Sequence, residues 1–232
     1  MDRLGQGAAW AVHAYTGAGA LCAFLATLAT LEGNYRVAFA WLALQVFIDA
    51  TDGWLARLVR VSERLPRFSG AHLDDIVDYL TYVFVPAVMV WHAPLVPEAW
   101  RIAVPAAILL SSAFGFSRLD AKTDDHYFTG FPSYWNIVVF YLVAWKADPL
   151  AGAVLLLVLA VLVFVPVRYI YPSRTVPFMR ATLVLGATWG GVMLLTLARL
   201  PDVPRWLLLA GLVFPIYYFG ISFWLETRRG QV

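Results

Sequence analysis

Charge is what this chain has little of. Only 14% of its 232 residues are Asp, Glu, Lys or Arg, whereas a soluble domain carries about 25%. So few charges cannot clothe a water-facing surface, and a soluble globular domain is excluded. Cysteine is scarcer still: Cys22 stands alone, which rules out an internal disulfide and a cysteine metal cage and leaves the redox compartment open. There is no Gly-rich phosphate loop, dinucleotide fingerprint or Ser or Cys nucleophile motif, no low-complexity segment and no convincing internal repeat. His13, His72 and His92 lie near the ends of apolar runs without metal-ligand spacing, and no chemistry is assigned to them. The formal charge of +2 is spread over several loops, which argues against a nucleic-acid partner and makes anionic membrane phospholipids the expected neighbours.

What the chain has is apolar length. It is 61% hydrophobic, with a mean hydropathy of +0.71. A spanning helix needs about 20 apolar residues, and about eight such runs are found, at 11–31, 36–57, 73–92, 100–117, 134–147, 150–167, 178–198 and 205–225. The run at 134–147 is short and has to tilt or begin in the preceding loop. Long unbroken runs are not the alternating segments of a β-barrel, so the expected class is an all-α integral membrane protein. If the N-terminus is cytoplasmic, 12 of the 17 Lys and Arg residues fall on that side and 5 on the other, so the positive-inside rule places both termini in the cytoplasm. Residues 1–10 mix a charge pair with small polar residues; they read as an interfacial helix, and no cleavable signal peptide is evident.

The acids that remain are oddly placed. Asp49 and Asp52 end one apolar run in DATDGWLAR, and Asp74, Asp75 and Asp78 open the next in LDDIVDYLTY. A charge at membrane depth costs about 2.5 to 3.5 kcal/mol even on lenient scales, so such acids are functional candidates by default. At about 100° per residue, Asp49, Asp52, Gly53, Ala56 and Arg57 share one arc of a helix, while Asp74 and Asp78 stack one turn apart on the next. The connection 58–71 is short, so these helices should be antiparallel neighbours with facing carboxylates at the cytoplasmic mouth. Such a group repels itself unless cations sit between its members. Hard divalent ions such as Mg²⁺ or Mn²⁺ take oxygen ligands and keep positions for substrate phosphates, so phosphate chemistry is the natural inference. Two metals could hold a diphosphate while a carboxylate removes a proton from an attacking hydroxyl; Gly53 permits close approach and Arg57 can grip a phosphate. Asp74 and Asp75 could instead be helix caps, and a proton or cation transporter also buries acids.

The pattern Asp49-x-x-Asp52-Gly53-x-x-Ala56-Arg57 followed by Gly70-x-x-x-Asp74-x-x-x-Asp78 resembles the signature of the CDP-alcohol phosphatidyltransferases. The 12 residues between Arg57 and Gly70 exceed the usual gap in the general family. With GAHLDDIVDYLTYVFVP, DHYFTGFPSYWNIVVFY, VHAYTGAGA and VPVRYIYPSR, the resemblance is to the bacterial phosphatidylcholine synthase branch, which shares the longer gap. It implies one membrane-embedded catalytic domain over 1–232, with a six-helix core in 1–170 and two additional C-terminal helices in 171–232. The implied reaction joins choline to CDP-diacylglycerol, giving phosphatidylcholine and CMP at the inner membrane with Mn²⁺ or Mg²⁺; the family tends toward homodimers. Carried over, Asp49, Asp52, Asp74 and Asp78 become metal ligands and Asp78 also the general base. Asp52, Gly53, Ala56 and Arg57 contact the CDP moiety, and Gly70 marks a helix packing point beside it. Other acceptors used by such enzymes are inositol, glycerol phosphate and serine.

A quaternary ammonium cannot donate a hydrogen bond and is best held by aromatic faces with a carboxylate nearby. Tyr82, one turn beyond Asp78, is the first candidate; Tyr79, Tyr134, Trp135 and Asp75 are further ones, although each aromatic could equally belong to an interfacial belt. Arg118 could serve a phosphorylated acceptor or anchor the chain at the cytoplasmic face. The stretch 117–133, with Asp120, Lys122, Asp124, Asp125 and His126, reads either as a solvated connection or as a lid.

Overall fold

The computed structural model describes residues 3–118, 127–170 and 178–229. Lipid offers no hydrogen-bond partners, so an apolar chain within it must satisfy its backbone internally, and these runs do so as helices. In order they are α1 (Arg3–Leu31), α2 (Tyr35–Val59), the short α3 (Val61–Arg64), α4 (Gly70–Asp78), a π-helical stretch (Tyr79–Phe84), α5 (Val85–His92), α6 (Ala103–Ser117), α7 (Trp135–Ala144), α8 (Pro149–Leu162), α9 (Met179–Arg199), α10 (Arg205–Gly211) and α11 (Val213–Arg229).

Among the described residues, four helical stretches are long and apolar enough to cross a membrane: Arg3–Leu31, Glu98–Ser117, Met179–Arg199 and Arg205–Leu225. Trp135–Ala144 and Pro149–Leu162 are shorter apolar helices. The protein is therefore a multi-pass membrane protein. Helix α2 has 25 residues but carries Arg36, Asp49, Asp52 and Arg57. The continuous stretch from α4 through α5 carries Asp74, Asp75 and Asp78. The same acids that single out these two elements make them less apolar than the other four.

One sequence expectation is corrected, and two gain detail. Residues from Arg3 onward form no separate interfacial helix but the first turns of α1, because Gly5, Ala9 and Val12 continue its buried face. The class is all-helical as expected, with one small ribbon added: β1 (Tyr127–Thr129) and β2 (Arg168–Ile170) pair antiparallel, with Phe128 opposite Tyr169. The run at 205–225 stands as one stretch of crossing length, with an internal break at Leu212 where α10 gives way to α11. Pro215 explains the break: it has no N–H for the Gly211 carbonyl four residues back. That carbonyl instead accepts from Tyr141 Oη of α7 and, at 3.0 Å, from Trp189 Nε1 of α9. Pro86 acts likewise on the Tyr82 carbonyl, and there the ladder widens, with the Val85 N–H reaching back five residues to Leu80 O. Asp120, Lys122, Asp124, Asp125 and His126 of the proposed lid lie outside the described residues.

Helix α1 packs along α2 on a seam of small residues, Gly5, Ala9, Val12, Thr16, Gly19, Ala23, Ala26 and Thr30, spaced alternately four and three apart. Small residues let helix backbones approach where lipid gives no hydrophobic drive to associate. Gly19 is the tightest point: a Cβ there would strike Gln45 Oε1 and lie 2.5 Å from Val77 Cγ1. Helix α5 sits among α1, α6 and α7, and Met89, Val90, Val104, Ile108, Val139 and Leu156 form the fully buried centre. Helix α1, which packs on both α2 and α4, joins the two elements on which the acids stand.

Candidate active site

Each half of the site has its own local cause. Helix α2 ends at Arg60, which adopts the left-handed conformation (φ 51°) and sends its N–H back to Ala56 O and Arg57 O. Helix α4 begins at Ser69, whose Oγ accepts from the His72 N–H at 3.2 Å. The chain thus reverses within ten residues, and α4 packs against α1. Gly70, at the first turn of α4, meets α1 closely, since a Cβ there would lie 3.0 Å from His13 Cε1.

The reversal brings three carboxylates together. One oxygen from each of Asp49, Asp74 and Asp78 lies within 4.8 Å of the other two, and all three residues are half-buried. Tyr82 Oη donates to Asp49 Oδ2 at 2.8 Å, fixing that carboxylate as outer hydrogen bonds typically fix metal ligands. Asp52 is not in this cluster. It is buried at 7% exposure, and its Oδ2 accepts from Thr16 Oγ1 of α1 at 2.7 Å. Beside it, Tyr15 Oη and Thr51 Oγ1 are 2.8 Å apart.

Arg57 is exposed, and its Nη1 lies 3.4 Å from where a Gly53 Cβ would stand, so its guanidinium lies over the glycine. Ala56 packs in the small cluster of Ala9, Val12 and Val61. Of the aromatic candidates, Tyr134 is beside Tyr82, with ring centroids 6.1 Å apart and planes at 58°. Tyr79 turns away, donating to Leu109 O of α6 at 2.9 Å. Trp135 is 0% exposed and donates from Nε1 to Ser112 Oγ at 2.7 Å, which ties it into the core. Asp75 is half-buried beside the cluster in sequence but outside it in space, and Arg118 follows the end of α6.

Sequence reasoning passed over Thr16 and Tyr15, the α1 residues that bond α2 at the motif. Their signal was present: they lie in VHAYTGAGA, where small and polar residues interrupt an apolar run.

Oxygen donors converging from two helices suit a hard divalent cation rather than a soft one. A family model described as CDP-alcohol phosphatidyltransferase matches residues 13–167. The chain belongs to the CDP-alcohol phosphatidyltransferase family. A phosphatidylcholine synthase of Pseudomonas aeruginosa is 36% identical over 232 residues, covering 99% of this chain and 96% of that protein. One from Rhizobium meliloti is 32% identical over 218 residues, 94% of this chain and 90% of that protein. One from Legionella pneumophila is 45% identical over 168 residues, 72% of this chain and 66% of that protein. As a CDP-alcohol phosphatidyltransferase the chain is an enzyme, and its three-carboxylate cluster is consistent with a divalent metal site.

Proposed function

We propose that the protein transfers the phosphatidyl group of CDP-diacylglycerol to the hydroxyl of choline, releasing CMP and forming phosphatidylcholine. The observation that carries this is the meeting of Asp49, Asp74 and Asp78 beside the Tyr82–Tyr134 corner, in a chain similar over nearly its whole length to phosphatidylcholine synthases.

In this reading Tyr82 and Tyr134 form two walls against which the trimethylammonium group rests, with its positive charge near the carboxylates. The hydroxyl then faces Asp78, which accepts its proton. The freed oxygen attacks the phosphorus bearing diacylglycerol, and the phosphorus–oxygen bond to CMP breaks as the new one forms. Arg57, laid over Gly53 at the exposed end of α2, grips the diphosphate, and Asp52, pinned by Thr16, borders the nucleotide. Asp49, Asp74 and Asp78, with Asp52 joining them by a change of side-chain rotamer, would hold Mn²⁺ or Mg²⁺, one ion or two, which neutralises the charge that builds on the leaving phosphate.

The reading extends to the membrane. Eight crossings, a six-helix core up to about residue 170 and two further helices, and both termini and the carboxylates on the cytoplasmic side of a bacterial inner membrane follow from the charge bias and are supported by the family match over 13–167. Association of two copies rests on the resemblance alone.

The test is CMP release from CDP-diacylglycerol by purified protein with Mn²⁺, with choline present or absent and with chelator as control. Choline-dependent, chelator-sensitive release is expected. Release driven by glycerol phosphate, inositol or serine but not by choline overturns the acceptor. No release with any alcohol, together with cation flux in proteoliposomes, would make the acids a transport pathway.

A pair of substitutions separates the two jobs of Tyr82. Tyr82→Phe keeps the ring and should leave the KM for choline close to wild type while lowering kcat through the loosened Asp49. Tyr82→Leu also removes the ring and should raise the KM for choline roughly tenfold, the size of a desolvated cation–π contact. Steady-state titration of both substrates distinguishes them; identical behaviour of the two variants would remove the ring from the choline site.

A further inference from the structure

The last helix is bonded to the segment that delivers Tyr134. Strand β2 ends at Ile170, and both backbone groups of Ile170 are taken by side chains of α11. Its N–H donates to Ser222 Oγ at 3.1 Å, and its carbonyl accepts from Tyr218 Oη at 3.1 Å. Ser222 Oγ donates in turn to Tyr218 O at 2.7 Å. All three residues are buried, and the rings of Tyr169 and Tyr218 lie parallel with centroids 6.3 Å apart. The backbone groups at a strand's end need partners, and in an apolar setting leaving them unmet is costly. Helix α11 meets that need with a two-point clamp.

From the clamp the structure runs without a gap to the carboxylates. Strand β2 pairs with β1, and the chain after β1 stays strapped down. The Gly130 N–H donates to Val167 O at 2.8 Å and the Phe131 N–H to Leu162 O at 3.0 Å. Gly130 has φ +85°, and a Cβ on it would collide with the Val163 carbonyl, so only glycine permits this approach. Ser133 Oγ then accepts from Ser112 Oγ at 3.0 Å, and the next residue is Tyr134, ring to ring with Tyr82.

The family match ends at residue 167, one residue before β2 begins. Strand β2 and α11 therefore lie outside the residues that the family model matches. We propose that Tyr218 and Ser222 are positioning residues for the acceptor: by clamping Ile170 they hold the ribbon that fixes Tyr134 against Tyr82, so that α11 sets selectivity for a quaternary ammonium head. The inference rests on the choline reading and deepens it, giving the C-terminal helix a task that the aspartate motif cannot perform.

The experiment uses the full chain, purified, as wild type and as Tyr218→Phe and Ser222→Ala, which remove one hydroxyl each and leave ring or backbone in place. CMP release is measured against choline, N,N-dimethylethanolamine and CDP-diacylglycerol, alongside thermal unfolding. Loss of one hydrogen bond in the clamp is expected to raise the KM for choline roughly fivefold and to lower the preference for choline over dimethylethanolamine by a similar factor, with the KM for CDP-diacylglycerol within about twofold of wild type. A general loosening of the fold would instead weaken donor and acceptor alike. Active wild type with unmoved choline KM and unmoved preference in both variants overturns this inference and leaves the choline reading standing. Wild type that releases CMP without regard to choline overturns the choline reading, and the inference with it.

Discussion

Asp78→Asn is expected to abolish turnover while nucleotide binding survives. The change keeps the shape of the side chain and removes its ability to take a proton from the acceptor hydroxyl. General-base catalysis is worth about 10² to 10⁴-fold, and Asp78 also contributes an oxygen to the carboxylate cluster, so a loss of at least roughly 10³-fold in kcat is expected. Single-turnover CMP formation measures the loss, and equilibrium binding of CMP or CDP-diacylglycerol measures what remains. The mutation spares Arg57, Gly53 and Asp52, which stand on α2 with their own contacts, so binding should change little. Wild-type turnover in this variant would remove Asp78 as the base and move the search to Asp74.

Chelation is expected to stop the reaction outright, and restoring Mn²⁺ or Mg²⁺ to recover it. Asp49→Ala and Asp74→Ala should each lose more than the roughly 10 to 100-fold that disturbing outer-sphere partners costs, because each removes a ligand oxygen itself. Electron paramagnetic resonance of bound Mn²⁺ reads the defect independently of activity. Asp52→Ala tests the fourth ligand: its Oδ2 is held by Thr16, so it reaches the ion only by a change of rotamer, and its loss should lower Mn²⁺ affinity by less than that of Asp49 or Asp74. Unchanged Mn²⁺ affinity in Asp52→Ala would leave Asp52 outside the ligand set.

The carboxylate cluster was legible because its signal is local. Asp74 and Asp78 are four apart on a helix, Asp49 stands on the preceding one, and a short connection returns the chain so that the three carboxylates meet. Helical period and loop length are properties of a few consecutive residues, and nothing distant could override them. The partner of Asp52 was not legible in this way, because Thr16 is 36 residues away on another helix, and only the packing of α1 on α2 decides which side chains meet. The aromatic candidates divide along the same line. Tyr82 and Tyr134 meet, whereas Tyr79 and Trp135 are drawn off by Leu109 O and Ser112 Oγ, acceptors that tertiary packing supplies. The two-stranded ribbon escaped for a related reason: strands of three residues carry no period, and the partners are about 40 residues apart. The helix break at Leu212 had a visible cause in Pro215, outweighed by the length of the apolar run around it.

Helix α1 inverts the rule by which globular proteins are usually read. Eight of its eleven buried positions hold glycine, alanine or threonine, the others being Val12, His13 and Cys22, while Leu21, Phe24, Leu28 and Leu31 point outward and are exposed. In such an element hydropathy no longer distinguishes inside from outside, since both faces are apolar. Side-chain volume does. Bulk marks the face written by lipid, and its absence, recurring every three or four residues, marks the face written by the rest of the protein. For this family of helices a plot of residue size against position carries the packing information that a hydropathy plot carries for soluble proteins, and the two substrates of a membrane enzyme's evolution, the bilayer and the fold, can be read from one sequence as interleaved texts.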